Sequence, residues 1–204
     1  MVKSRFSKVD MITEMPSTGI DALKDAENVS VEVGSPLSPD LTDIILNQVD
    51  PADCPTDAGG LCTGHPALRD KNVRLAMAHA TDKQKIIDIV MMGLASKGIA
   101  LIPDGMGVWF NSQIQDYAFD TTLANKILDD AGYLDVNNDG IREMPDGTNS
   151  LTFRLNWPSD SVVAPRLAEM LQETWGEIGI GTQPQAVDPD ALTAQCCPTL
   201  DYDV

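Results

Sequence analysis

No stretch of this chain reaches the ~18 uncharged apolar residues that a membrane-spanning helix needs. The longest apolar runs, near Ile89–Ala95 and Ile99–Ile102, are the size of a core helix or a strand. Basic residues are scarce: 14 Lys and Arg stand against 31 Asp and Glu, a formal charge of -17. Such a surface repels phosphate backbones and anionic head groups, and no basic cluster interrupts it, which argues against nucleic acid as a partner. Only two histidines are present, His65 and His79. No nucleophile, base and orienting acid can be assembled around them from spacing, and no glycine-rich phosphate loop leads into a lysine. These absences argue against an enzyme. The first ten residues, MVKSRFSKVD, lack the apolar core of an export signal. If the parent protein is exported, its signal is expected outside this chain.

What is present suffices for one hydrophobic core, or for one domain with a ragged end: 204 residues, 43% of them hydrophobic. The excess of acid is explained by solubility alone. Four cysteines occur. Cys54 and Cys62 lie in the Pro/Gly-rich loop PADCPTDAGGLCTGHP, and in an oxidising compartment they are expected to close a disulfide. Adjacent Cys196 and Cys197 pair with each other only under strain, so each is expected to stay free or find another partner. A zinc site on Cys54, Cys62 and His65 lacks a clear fourth ligand.

Periodicity organises the rest. Val29, Val31 and Val33 alternate with polar residues, which predicts a half-buried strand. Leu41–Gln48 predicts a second strand with Ile44 and Leu46 buried. Val73, Ala76, Met77 and Ala80 follow helical spacing. Thr81 or Asp82 caps a further helix that buries Ile86, Ile87, Val90 and Met91 and stops at Gly93. Asp120 caps a helix with Leu123, Ala124, Ile127, Leu128 and Ala131 on one face. Leu151, Phe153, Leu155 and Trp157 alternate along a strand. Pro165 opens a long helix ending at Gly179, and Ile180–Val187 predicts an edge strand that tolerates Pro184. Asp188 or Asp190 starts a short helix, and the closing DYDV predicts another strand. The order is that of an α/β domain.

Two local motifs carry candidate chemistry. Asp135, Asn137 and Asp139, followed by Gly140, match the opening of a calcium loop. There alternate side chains converge on one point and glycine permits the bend. Ile141 would add its backbone carbonyl, Glu143 a carboxylate, and Asp146 stands where a bidentate Glu is usual. The alternative is an Asp/Asn/Gly turn feeding a hairpin. No cofactor is required, and calcium is the one candidate. Trp109, Phe110 and Asn111 lie in a Gly-rich loop, and Trp157 ends a strand. Such residues either stack on a ligand or pack on the domain's own core.

Read together, these segments resemble family 5 extracellular solute-binding proteins of ABC transporters, the oligopeptide, dipeptide and nickel type. The first resemblance is HPALRDKNVRLAMAHATDKQKIIDIVMMGLA, on His65, Pro66, Leu68, Asp70, Val73, Arg74, Ala76, Ala80, Asp82, Lys83 and Ile86. The second is FDTTLANKILDDAGYLDVNNDGIREMPDGTNSLTFRL, with Ile127 where the family often has Leu. WGEIGIGTQPQAVD and DYDV complete it. The matches run over roughly residues 28–204, and the cysteine loops lie outside the family pattern.

The resemblance implies one lobe of a two-lobed periplasmic-binding-protein type II fold, an α/β lobe with a mixed sheet flanked by helices. Residues 1–47 would end the first-lobe segment and supply a hinge strand, and residues 48–204 would form the second lobe, without its return to the first. It implies substrate capture for an ABC importer, in the periplasm or on the outer face of the cytoplasmic membrane, where a lipid anchor is an option. Expected partners are a peptide or similar small solute and the permease subunits, with the fragment itself a monomer. Candidate cleft residues are Trp109, Phe110, Asn111, Asn156, Trp157 and Ser159, together with the Gln195–Thr199 loop. The competing expectation is a free-standing calcium-stabilised extracellular module.

Overall fold

A computed structural model describes residues 17–32 and 41–204. Its elements run α1 (Ser17–Leu23), α2 (Lys71–His79), α3 (Lys83–Ile89), α4 (Thr121–Asp130), β1 (Thr152–Pro158), α5 (Ala164–Gly176), β2 (Gly181–Val187) and α6 (Pro189–Ala194). Short 3-10 turns and a single π turn at Gln195–Thr199 connect them.

Helix starts follow side-chain capping chemistry. Asp70 accepts from Asn72 N–H at the head of α2, Asp82 from Lys85 N–H at α3 and Asp120 from Leu123 N–H at α4. Asp188 accepts from the N–H groups of Asp190 and Ala191 at α6. Thr81 takes a different role from the cap it could have been. Its hydroxyl donates to Met77 O at 2.7 Å and accepts the Trp175 indole N–H at 3.1 Å. That bond lets Trp175, only 1% exposed, sit at the centre of the core with its polar edge satisfied.

The core gathers Val73, Ala76 and Met77 of α2, Ala124 and Leu128 of α4, Phe153 and Leu155 of β1 and Leu171 of α5. Ile127 packs on it in part. Leu123, expected on the same face, is exposed, because one residue's turn of the helix carries it about 100° away from Ala124.

Strands β1 and β2 pair in parallel, Thr152 opposite Gly181 through Pro158 opposite Val187, with α5 as the crossover. The sheet within the described residues is this pair. On the edge of β1 away from β2, Arg154 O accepts from Val204 N–H at 3.1 Å and Asn156 N–H donates to Val204 O at 2.9 Å. The end of DYDV thus lies beside β1 through two backbone bonds to Val204 but forms no strand, so the strand expected there is corrected.

Two further strand expectations are corrected. Residues 29–32 form no ladder, and Val29 is exposed; an Asn28 at φ +62° turns the chain just before it. Val33 lies outside the described residues. Segment 41–48 forms no strand, and its one backbone–backbone bond among the described residues is Asn47 N–H on Asp203 O at 2.9 Å. Its alternation still sets its inward face, since Ile44 and Leu46 pack against the core. Among the described residues, no helix is long and apolar enough to cross a membrane.

Candidate ligand-binding site

Parallel α/β sheets present their open end beyond the carboxyl ends of the strands. Here that end is built by Asn156, Trp157 and Pro158 of β1 and by Ser159. The Ser159 N–H donates to Val187 O at 2.8 Å and ties the two strand ends together. Trp157 is half-buried and packs against the core, and Ser159 is exposed. The Asn156 amide donates to Gln195 Oε1 at 3.3 Å, whereas its Oδ1 is buried without any partner. Buried acceptors are seldom left so; this one lies at the carboxyl end of β1, and Thr182 Oγ1 on β2 is a second such atom. Gln195 belongs to the π turn expected as a third wall.

Trp109 closes a 3-10 turn, Asp104–Trp109, with its side chain 72% exposed. The core-packing reading therefore does not hold for it. Phe110 is half-buried. Asn111 is exposed, with its Oδ1 accepting from Gln113 N–H at 3.0 Å. No hydrogen bond among the described residues joins this segment to the end of β1.

Beneath the open end lies a polar knot that spacing alone did not suggest. The Arg154 guanidinium donates to Asp203 from Nε at 3.0 Å and from Nη2 at 3.1 Å, and to Asp201 from Nη1 at 2.7 Å. Asp203 also accepts the His65 N–H at 2.8 Å. Thr63 bonds to both Asp201 and Arg154. Asn47, 2% exposed, donates to Leu200 O at 2.9 Å and Tyr202 O at 2.8 Å. Gly64 permits this approach, because a Cβ there would stand 2.7 Å from Asn47 Cγ. Alternation did hold the signal: Arg154 interrupts an apolar strand, and Asp201 and Asp203 are the polar positions of DYDV. Hydrogen bonds from Thr63 and Arg154 hold the Asp201 carboxyl below its usual range.

His65 is fixed as a neutral ring. Nδ1 accepts the Ala67 N–H at 3.2 Å, so Nε2 carries the proton and donates to Ser150 O at 3.0 Å. Burial pushes its pKa below the ordinary imidazole value, against a partial pull upward from Asp203. His79 bonds Ala118 O at 2.7 Å and meets the Tyr117 ring edge-on.

The Asp135–Asp146 loop is a closed hydrogen-bonded turn. Asp135, Asp139 and Glu143 converge within 4.8 Å of one another. Each of their six carboxylate oxygens already accepts an N–H. Asp135 takes those of Asp139 and Gly140, and Asp139 takes those of Ile141 and the Asn137 amide. Glu143 takes those of the Asn137 amide and Val136. Ile141 thus enters by its N–H. Asp146 does not join the cluster: Pro145 and the turn closed by Gly147 N–H on Met144 O carry it away, and it bonds Thr148 instead. Isolated antiparallel bridges join Glu143 to Leu134 and to Ser150, so the loop leads into a short hairpin, and its three converging carboxylates stand within reach of one cation.

Cys54 and Cys62 form a disulfide, which removes both from any zinc site. Cys196 and Cys197 are free thiols.

The described residues form a parallel α/β unit with a buried, unpartnered amide oxygen at the carboxyl end of β1 and an exposed Trp109 on a separate loop. Comparison with known proteins specifies its family. Residues 6–201 match the family described as bacterial extracellular solute-binding proteins, family 5, middle. Oligopeptide-binding protein AppA of Bacillus subtilis is 30% identical over 140 residues, covering 67% of this chain and 25% of that protein. The structure of AppA in complex with a nonapeptide aligns at 30% identity with a TM-score of 0.59, covering 66% of this chain and 27% of that one. NikA from Brucella suis in complex with Fe(III)-EDTA aligns at 31% identity and a TM-score of 0.58, covering 67% and 27%.

The chain belongs to the family 5 bacterial extracellular solute-binding proteins. Members of this family are non-enzymatic transport components, and the fold is that of type II periplasmic binding proteins. The chain spans about a quarter of the length of these relatives. Family membership sets aside the free-standing calcium module.

Proposed function

We propose that this chain is part of the substrate-capturing component of an ABC importer and holds a peptide or similar small solute outside the cytoplasmic membrane. The observation that carries the reading is the family match across residues 6–201, joined to an open strand end with an unpartnered Asn156 Oδ1. In this reading residues 48–204 form most of one lobe. Residues 1–47 lead in from the other, and permease subunits receive the loaded protein. Asn156, Trp157 and Ser159 line one side of the cleft. Trp109, Phe110 and Asn111 supply an aromatic and amide surface that stacks on the solute or on the facing lobe. A lateral bond from Asn47 N–H to Asp203 O joins the two segments that this reading takes as the inter-lobe crossings, and it supports hinge closure there.

Half a cleft leaves much of a ligand in water. Titration calorimetry of this chain with mixed di- to hexapeptides should therefore give weak or no binding. A form extended by its flanking sequence should bind. Sub-micromolar binding by the chain alone would overturn the two-lobe reading, and no binding by the extended form would overturn peptide capture.

A further inference from the structure

The disulfide has no role in the capture scheme above, yet its loop ends against a wall of the candidate site. The last two residues of the loop, Leu61 and Cys62, aim both backbone N–H groups at one acceptor, Thr199 O, at 2.7 and 3.1 Å. The turn that aims them is built around the bridge: a Cβ on Gly60 would stand 3.0 Å from Cys54 Sγ and from Pro55 O. Thr199 is tied in turn to the start of the π turn, its hydroxyl donating to Ala194 O at 2.7 Å and reaching Gln195 O at 3.2 Å. Gln195 holds the Asn156 amide. An unbroken path of contacts therefore runs from the disulfide to the residue with the orphaned acceptor. No residue of Gln195–Thr199 is buried. Hydrogen bonds rather than packing order this segment, and segments of that kind open locally at low cost.

We propose that the Cys54–Cys62 loop is a redox-sensitive clasp, which holds Leu61 and Cys62 on Thr199 and so positions Gln195 against Asn156 at the wall of the site. The role of that wall rests on the capture reading; the clasp itself does not. Opening requires a dithiol reductant. Two electrons and two protons convert the S–S bond into two thiols, while the reductant closes to its own disulfide. The freed loop regains conformational freedom, and the two donors leave Thr199.

The test uses the whole chain without ligand, comparing the oxidised protein with Cys54→Ser/Cys62→Ser. Two measurements are made: amide hydrogen exchange at residues 195–201, and the rate at which iodoacetamide labels Cys196 at fixed pH. Cys196 adjoins Gln195, and burial now pushes its thiol pKa up. Losing two ordinary hydrogen bonds should speed local exchange about 10-fold. Cys196 labelling should quicken with it, while α2 and α4 keep their protection. A uniform rise across the chain would mean a simple staple, and unchanged exchange at 195–201 would mean no clasp; either overturns the proposal. If the double variant does not fold, the oxidised protein treated with dithiothreitol and then reoxidised gives the same readout, with protection expected to return. Calorimetry on the extended chain judges the capture reading separately, since exchange and labelling involve no ligand.

Discussion

Arg154 and Asp203 are joined by two side-chain hydrogen bonds, at 3.0 and 3.1 Å, and Asp203 Oδ2 also accepts the Arg154 backbone N–H at 2.8 Å. The aspartate side chain is 7% exposed and the arginine 32%. One carboxylate therefore fastens β1, the end of the chain and, through His65 N–H, the loop before α2. Asp203→Ala removes every one of these bonds and leaves a half-buried guanidinium with Asp201 as its remaining carboxylate. The expected cost is about 2–4 kcal/mol, read by urea denaturation. Asp203→Asn, which keeps the shape and some acceptors, should cost less. Equal losses in the two variants would show that charge alone matters.

The neutral His65 ring makes stability depend on pH in a defined direction. Its folded pKa is lowered by burial, so the unfolded chain binds the proton more readily. The contribution is complete above the unfolded imidazole value of about 6.5 and is lost as pH falls through and below it. Thermal midpoints should fall between pH 8 and pH 5, and His65→Gln should flatten that slope. A slope unchanged in the variant would assign it to other groups.

The acidic loop should hold its form without an ion, because every carboxylate oxygen in the cluster already has an N–H donor. Thermal melts in millimolar calcium and in chelator should coincide. Glu143→Ala should destabilise by about 1 kcal/mol in both, since it removes the acceptor of the Val136 N–H and of the Asn137 amide. A midpoint that rises with calcium and loses that rise in Asp139→Ala would restore the calcium expectation.

Trp109 separates binding from stability. At 72% exposure its side chain gives the folded chain little, so Trp109→Ala should shift stability by less than about 0.5 kcal/mol. In the extended, ligand-competent form it should weaken peptide binding by about 10-fold or more, within the range of a lost aromatic anchor. Unchanged affinity would remove residues 109–111 from the cleft.

Local rules determined most of the elements. Asp70, Asp82, Asp120 and Asp188 cap their helices, and Ala124 and Leu128 face the core from α4. Leu151, Phe153 and Leu155 alternate inward and Pro184 sits on an edge strand, because caps and periodicity act over a few residues and are written in the sequence. The pairing of Cys54 with Cys62 was also legible, since both lie in one short loop. Tertiary structure decided what depended on distant partners. Val29 and Val31 alternate as a strand would, but alternation is half of a ladder, and among the described residues no neighbour provides the other half. Spacing brings Asp135, Asp139 and Glu143 forward as candidate metal ligands, whereas only the fold supplies the backbone N–H groups of Val136, Asp139, Gly140 and Ile141 and the Asn137 amide that bond their oxygens, and it leaves Asp146 in the next turn. The knot of Asn47, Thr63, Arg154, Asp201 and Asp203 joins residues up to 156 positions apart. Local alternation marks Arg154, Asp201 and Asp203 as polar positions but not as partners, because the energy of the knot exists only once β1, the loop before α2 and the end of the chain lie side by side.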